Sequence, residues 1–227
     1  MNTLDNPVWE ALSTVQSNFN TGSNTIKYFP SDVAPFIGMQ SWTEKDMQQM
    51  IAYLPLDRSF SVMIAKTVKL PANVDIVFTT PLYQMYCPTL IPFYNPAIEI
   101  RELGGGDIAQ MLALTALTKP GPFYEKTNEF GNYYGIFAKD VLVAMAGERL
   151  KVKGYTEISA ICTHPNYLGK GYASYLISHA CEHTLQQGNI PFLHVRTDNT
   201  RAIEVYKKLG FKIRADVYFA IFKKRVA

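Results

Sequence analysis

The stretch Cys162–Leu176 reads CTHPNYLGKGYASYL and sets Gly169, Gly171 and Ala173 at alternate positions. It lies where an apolar run, GYTEISAIC (154–162), gives way to a helix-like run, ASYLISHACEHTL (173–185). A helix start leaves backbone N–H groups without partners, and the helix dipole makes that end partly positive. Glycines leading into it keep those groups bare, so an anion such as a phosphate can be held by main chain alone. Ser174 adds a hydroxyl and Lys170 a positive charge. A plain strand-to-helix turn needing positive φ angles explains the same spacing, and spacing alone leaves both readings open. The Walker pattern is absent, and Ser174 stands where a dinucleotide fingerprint needs its third glycine.

The flanking segments are regular. AIEIREL (97–103) alternates as a strand, and GGGDIAQMLALTAL (104–117) turns into a helix. The loop KPGPFYEKTNEFGN (119–132) follows. NYYGIFAK and VLVAMAGERL, on either side of Asp140, predict an antiparallel pair, and TEISAICT (156–163) a further strand. Beyond the glycine junction come a helix of about 15 residues stopped by Gly188, the strand PFLHVRT (191–197), and the helix NTRAIEVYKKLG ending at Gly210. FKIRADVYFAIFKK (211–224) closes the chain as one or two strands.

The first 95 residues are less regular. Helices are predicted over 6–19, with Asn6 as cap and Pro7 at the first position, and over 43–54, with Thr43 as cap and Asp46 three residues on. SFSVMIAK (59–66) and VDIVFTT (74–80) read as strands. The Tyr- and Pro-rich PLYQMYCPTLIPFYNP (81–96) reads as a connection, which places a soft domain boundary near residue 95.

Composition narrows the function classes. With 227 residues, 48% hydrophobic and 18% charged, the chain has enough apolar material for a sizeable core. A net charge of +3 without a basic stripe argues against a nucleic-acid partner. Cys87, Cys162 and Cys181 are odd in number and widely spaced, which reads as free thiols in a reducing compartment. No signal-peptide layout and no apolar run near the roughly 18 residues of a membrane span stand in the sequence. A cytoplasmic protein without a membrane partner is expected. HACEH (179–183) sets two histidines four apart but is not H-E-x-x-H, so no metal is expected.

LGKGYA (168–173) resembles the pyrophosphate loop of the GNAT superfamily of acyl-CoA-dependent N-acetyltransferases, [QR]-x-x-G-x-[GA] after a strand. It matches at Gly171 and Ala173, while Leu168 departs from the usual Gln or Arg. NTRAIEVYKKLGF places Asn199, Ala202, Tyr206, Gly210 and Phe211 in the register of the family's later line N-x-x-A-x-x-x-Y-x-x-x-G-F. The resemblance covers about residues 97–227. PGPF, AMAGERL, TEISAICTHP and FLHV are similar to the branch holding glycine N-acyltransferase-like enzymes and bacterial acetyltransferases of unassigned substrate.

The resemblance implies an α/β fold: a mixed sheet, splayed at its centre and flanked by helices, with CoA in the cleft. Residues 96–227 would be the acetyltransferase domain. Residues 1–95 would be a smaller α/β region, in the order of a degenerate half-GNAT module without a glycine loop and therefore without CoA. The implied reaction moves an acetyl group from acetyl-CoA directly to a small primary amine or peptide amine, with no metal. The implied coenzyme contacts are Leu168, Gly169, Lys170, Gly171, Tyr172, Ala173 and Ser174 at the loop, Ile161, Cys162 and Thr163 on the splayed strand, and Asn199 with Ala202 on the following helix. Tyr206 would meet the coenzyme sulfur as the acid. Glu157 would serve as general base, with Glu148 as its rival. Direct transfer leaves Cys162 no nucleophilic task. A glycine-type N-acyltransferase, with Arg149 or Arg196 receiving an acceptor carboxylate, and a non-catalytic CoA-binding module are the alternatives. A homodimer is compatible with the sequence, and the loop 119–132, with Phe123, Tyr124 and Phe130, would receive the acceptor.

Overall fold

The computed structural model describes residues 2–65 and 68–225. In chain order its elements are α1 (Pro7–Ser13), β1 (Ile26–Tyr28), β2 (Ile37–Met39), α2 (Glu44–Tyr53), β3 (Ser59–Ile64), β4 (Val74–Tyr86), β5 (Arg101–Leu103), α3 (Ile108–Thr118), β6 (Tyr133–Ala138), β7 (Val141–Val152), β8 (Tyr155–Thr163), α4 (Tyr172–Gln186), β9 (Ile190–Arg196), α5 (Thr200–Lys208) and β10 (Lys212–Lys224). Eight strands form one mixed sheet in the order β3-β10-β4-β9-β8-β7-β6-β5, antiparallel throughout except for β8 beside β9. β1 and β2 pair separately.

Two-residue periodicity assigns the faces of this sheet. Ala144 and Ala146 of β7, Ile158 of β8 and Leu193 and Val195 of β9 form one core with Leu176, Ile177, Ala180 and Cys181 of α4. Those α4 positions make the i, i+1, i+4, i+5 stripe of a helix laid on a sheet. Full burial of each Leu or Ile there contributes roughly 1.5–3 kcal/mol. Met145, of opposite parity, and Cys162, turned over by a bulge between Ser159 and Cys162, face Met111 and Leu114 of α3. Phe192 and Leu150 join Leu4, Val8, Leu12 and Phe29, so the N-terminal elements cover this same second face.

Several sequence expectations change. The helix expected over 6–19 ends at Ser13 and resumes only as a short 3₁₀ turn at Ser17–Phe19. The aromatic connection starting at Pro81 is strand through Tyr86, with Leu82 and Tyr86 facing the second core and Met85 the first. Pro81 is tolerated because its carbonyl side faces Thr197, just past the end of β9, so the missing N–H costs no ladder bond to β10. The boundary near residue 95 does not separate two sheets: β4, from the first region, lies between β9 and β10 of the second, and β3 pairs with β10. Shared strands are cheaper than two exposed edges. The strand expected over 59–66 is described for Ser59–Ile64; Lys66 lies outside the described residues. The strand expected over 97–103 is confined to Arg101–Leu103. The closing segment is one strand with an extra residue, Arg214, at a bulge.

The segment after β4 crosses the end of α5, where Gly210 (φ 97°) brings its Cα against the Thr89 carbonyl. A Cβ built there would sit 2.2 Å from that oxygen. Gly210→Ala combines a left-handed backbone with this clash and should destabilise the fold by roughly 2–4 kcal/mol; a urea midpoint equal to the parent's would refute the assignment.

Candidate active site

β8 and β9 pair in parallel at only three positions, ending with Glu157 opposite Phe192. Beyond that pair the strands part. β8 carries a bulge there, two residues facing Ala146 alone, and Ala160 at the bulge has φ 51°. A left-handed alanine costs about 1–2 kcal/mol, and such bulges re-aim a strand. β8 then turns through His164, whose Nδ1 accepts the Asn166 N–H, which is the turn-stabilising role its position before Pro165 suggests. The chain enters α4 through Gly169 (φ 80°) and Gly171 (φ 77°). α5 starts beside it, with Asn199 Oδ1 accepting the Ala202 N–H at 3.2 Å.

These ends enclose a cleft of about 410 Å³. Ile161, Cys162 and Thr163 line it from β8, and Leu168, Gly169, Gly171, Tyr172, Ala173 and Ser174 from the junction. Asn199, Ala202 and Tyr206 line it from α5. Lys170 instead stands at the rim, its Nζ 4.8 Å from the centre of the Tyr167 ring. A Cβ at Gly169 would meet nothing, whereas one at Gly171 would reach the Phe93 ring at 3.2 Å. Thr163 Oγ1 is buried and has no hydrogen-bond partner.

The two acid–base candidates part company. Tyr206 is buried in the wall, and burial raises its phenol pKa, so it keeps its proton across the working range. Glu157 does not line the cleft; it points to the N-terminal face and is fully buried. Arg149 grips it with two bonds of 2.6 and 2.8 Å, and His194 Nδ1 lies 2.6 Å from Oε1. Burial alone would raise its pKa, but Arg149 first and His194 second outweigh that and hold the carboxyl at about 2. A carboxylate so paired is a poor proton acceptor, which corrects the expectation of a general base. Glu148 is no replacement. It too is fully buried, bound to Lys151 at 2.8 Å, and lies outside the cleft. Arg149 is likewise consumed by Glu157 and has no free face for an acceptor carboxylate, while Arg196 pairs with Asp198 at the surface. The Cys162 side chain packs with Met111 and Met145, and burial pushes its thiol up to about 11, against a nucleophilic role.

Sequence reasoning missed Tyr167, Ile177, Arg201 and Val205, all in the cleft wall. The signal was present: Ala202, Val205 and Tyr206 follow the i, i+3, i+4 spacing of one helix face, as do Ala173 and Ile177. His179 and His183 instead flank the Tyr134 ring, with centroids at 4.5 and 5.9 Å. In the loop 119–132, Phe123 stacks edge-on to Tyr133, while Phe130 packs on Phe29 and Phe19 in the N-terminal core.

Residues 133–220 match the family described as FR47-like protein. None of the curated proteins matches the chain. A solved structure from Novosphingobium aromaticivorans, described as an acetyltransferase from the GNAT family, is similar over 100% of both chains, at 29% identity and a TM-score of 0.91. A GCN5-related N-acetyltransferase from Kribbella flavida shares the fold over 97% of this chain and 96% of its own, at 14% identity and a TM-score of 0.64. An acetyltransferase from the GNAT family of Colwellia psychrerythraea does so over 94% and 96%, at 12% identity and a TM-score of 0.53.

Glu157→Gln would strand the Arg149 guanidinium in the core, with an expected loss of roughly 3–5 kcal/mol. The pH dependence has a definite sign. A carboxyl lowered from 4.5 to about 2 adds stability that is complete above the unfolded value and fades as pH drops towards the folded one. Urea unfolding from neutral pH down to acid should therefore show the gap between parent and variant narrowing through that window; a constant gap would refute the ion pair.

Proposed function

We propose that this chain, a member of the GNAT superfamily, is an N-acetyltransferase that moves an acetyl group from acetyl-CoA directly to a primary amine. The cleft between the glycine start of α4 and the diverging ends of β8 and β9, closed by Tyr206, is the observation that carries this reading. Its parts suit the donor. The open main chain at Gly169 and the left-handed turn at Gly171 suit a diphosphate at a helix start. The apolar walls at Ile161, Ile177 and Val205 suit the pantetheine arm, Thr163 Oγ1 offers a hydrogen bond, and Arg201 supplies a cation.

In the proposed reaction a nitrogen–carbon bond forms, the carbon–sulfur bond breaks, the amine gives up a proton and the sulfur gains one. In this reading Tyr206, which keeps its proton in the cleft wall, donates a hydrogen bond to the departing sulfur. Among the described residues lining the cleft there is no carboxylate and no imidazole. The acceptor is therefore taken as the free amine, and its proton passes to solvent.

Titration calorimetry with CoA, followed by thiol release from acetyl-CoA over a panel of amines, tests the reading; a folded protein without measurable CoA affinity sinks it. With an amine that turns over, kcat/KM should climb with pH through that amine's own pKa, and a limb that stays put when the amine is changed would reveal an enzyme base instead. Tyr206→Phe should keep CoA affinity while turnover drops by roughly 10- to 1000-fold. Gly171→Val forces a β-branched residue to φ 77° against Phe93, so it should abolish CoA binding in calorimetry while the circular dichroism remains that of a folded chain.

A further inference from the structure

A continuous chain of polar side chains crosses five neighbouring strands on the face covered by the N-terminal elements. It starts at Asp5, whose Oδ1 accepts from Arg214 Nη2 at 2.7 Å. Arg214 Nε donates to Gln84 Oε1. Gln84 Nε2 donates to the Leu4 carbonyl at 2.9 Å and meets His194 Nε2 at 2.9 Å. His194 Nδ1 meets Glu157 Oε1 at 2.6 Å, and Glu157 ends the chain in its pair with Arg149. The strands crossed are β10, β4, β9, β8 and β7. Both arginines stand at bulges: Arg214 is the extra residue of β10, and Arg149 with Leu150 faces Glu157 alone. Bulges re-aim side chains, and here they turn two cations towards the middle of one sheet.

The hydrogen-bond inventory orders this chain. The Gln84 oxygen is taken by an arginine that can only donate, and one of its amide hydrogens by a carbonyl that can only accept. The amide cannot be flipped, so its second hydrogen points at His194 Nε2, which must accept. The His194 proton then sits on Nδ1 and is donated to Glu157. Its position matters as much as its tautomer. Backbone pairing of β8 with β9 stops at Glu157 and Phe192, and His194 is the next residue of β9 on that face. Its bond to Glu157 spans the two strands at the point where the ladder gives out.

We infer that His194, locked as the Nδ1–H tautomer by Gln84, is the positioning residue that sets how far β8 and β9 part, and that the N-terminal segment thereby acts on the shape of the cleft. His194 is not among the described residues that line the cleft, so the role inferred for it is one of position. The consequence for acyl-donor binding rests on the function proposed above; the consequence for the strands does not.

The test compares His194→Phe, which removes both bonds at similar size, with His194→Asn, which keeps a donor towards Glu157. Hydrogen exchange in the absence of any ligand should rise by about tenfold or more at residues 158–163 and 193–198 in His194→Phe while α3 keeps its protection. His194→Asn should stay near the parent. An unchanged pattern, a uniform rise over the whole chain, or equal effects of the two substitutions overturns the inference. In calorimetry His194→Phe should weaken CoA binding by about tenfold, as expected when the competent cleft is populated about a tenth of the time. Unchanged affinity in a variant whose exchange has risen would refute the link to the cleft. A parent that does not bind CoA at all would sink the acyltransferase reading and leave the exchange result to decide the inference. Should His194→Phe not fold, nitrogen-15 histidine spectra of the parent near neutral pH decide instead: a proton on Nδ1 alone is expected, and a proton on Nε2 overturns the assignment.

Discussion

Parallel strands that hydrogen-bond along their whole length leave no room between them for anything else. β8 and β9 pair at three positions and then part, and the cleft follows from that interruption. Separation exposes backbone polar groups that the interior does not tolerate unpaired, so the opening must be sustained from several sides. The bulge at Ala160 bends β8 away, and the last paired residue, Glu157, is tied to its neighbours by side chains rather than by ladder bonds. On the other face, α4 and α5 close over the gap with an apolar stripe and a buried tyrosine.

The buried ions of this sheet belong to that support. Desolvating Arg149 and Glu157 costs several kcal/mol per ion, and pairing with good geometry is what makes their burial tolerable. Their partners extend the arrangement to Gln84 and Asp5. Residues far apart in sequence, from Asp5 to Arg214, thus meet on one face. The N-terminal region is therefore part of the sheet's architecture and not an appendage to it.

Much of this was legible in the sequence, and the failures are physical. The junction at Gly169–Ser174 and the face of α5 carrying Asn199, Ala202 and Tyr206 could be read because they depend on local spacing, and the mixed sheet splayed at its centre followed from the family resemblance that those motifs carry. Strand β4 was cut short at Pro81 because proline reads as a breaker; only the end of β9 beside it makes it harmless. Glu157 was expected to be a base because its place on the strand before the loop resembles one that carries a glutamate in the family. Its carboxylate is matched by an arginine eight positions away and a histidine thirty-seven away. The pairing with His194 leaves no mark in a window of ten residues, and neither does the sharing of one sheet across residue 95.

The order of strands also governs the way the chain comes together. β3 and β4 each meet their partner β10 only when residues 212–224, well over a hundred positions further along, are in place. Until then two strands wait with open edges, one of them bearing Ile76, Val77 and Phe78 towards solvent. Contacts of such wide sequence separation form slowly, and unfinished edges invite association with other chains. Residues 212–224 thus act as a zipper, and the sheet stays incomplete until that one strand is inserted between β3 and β4.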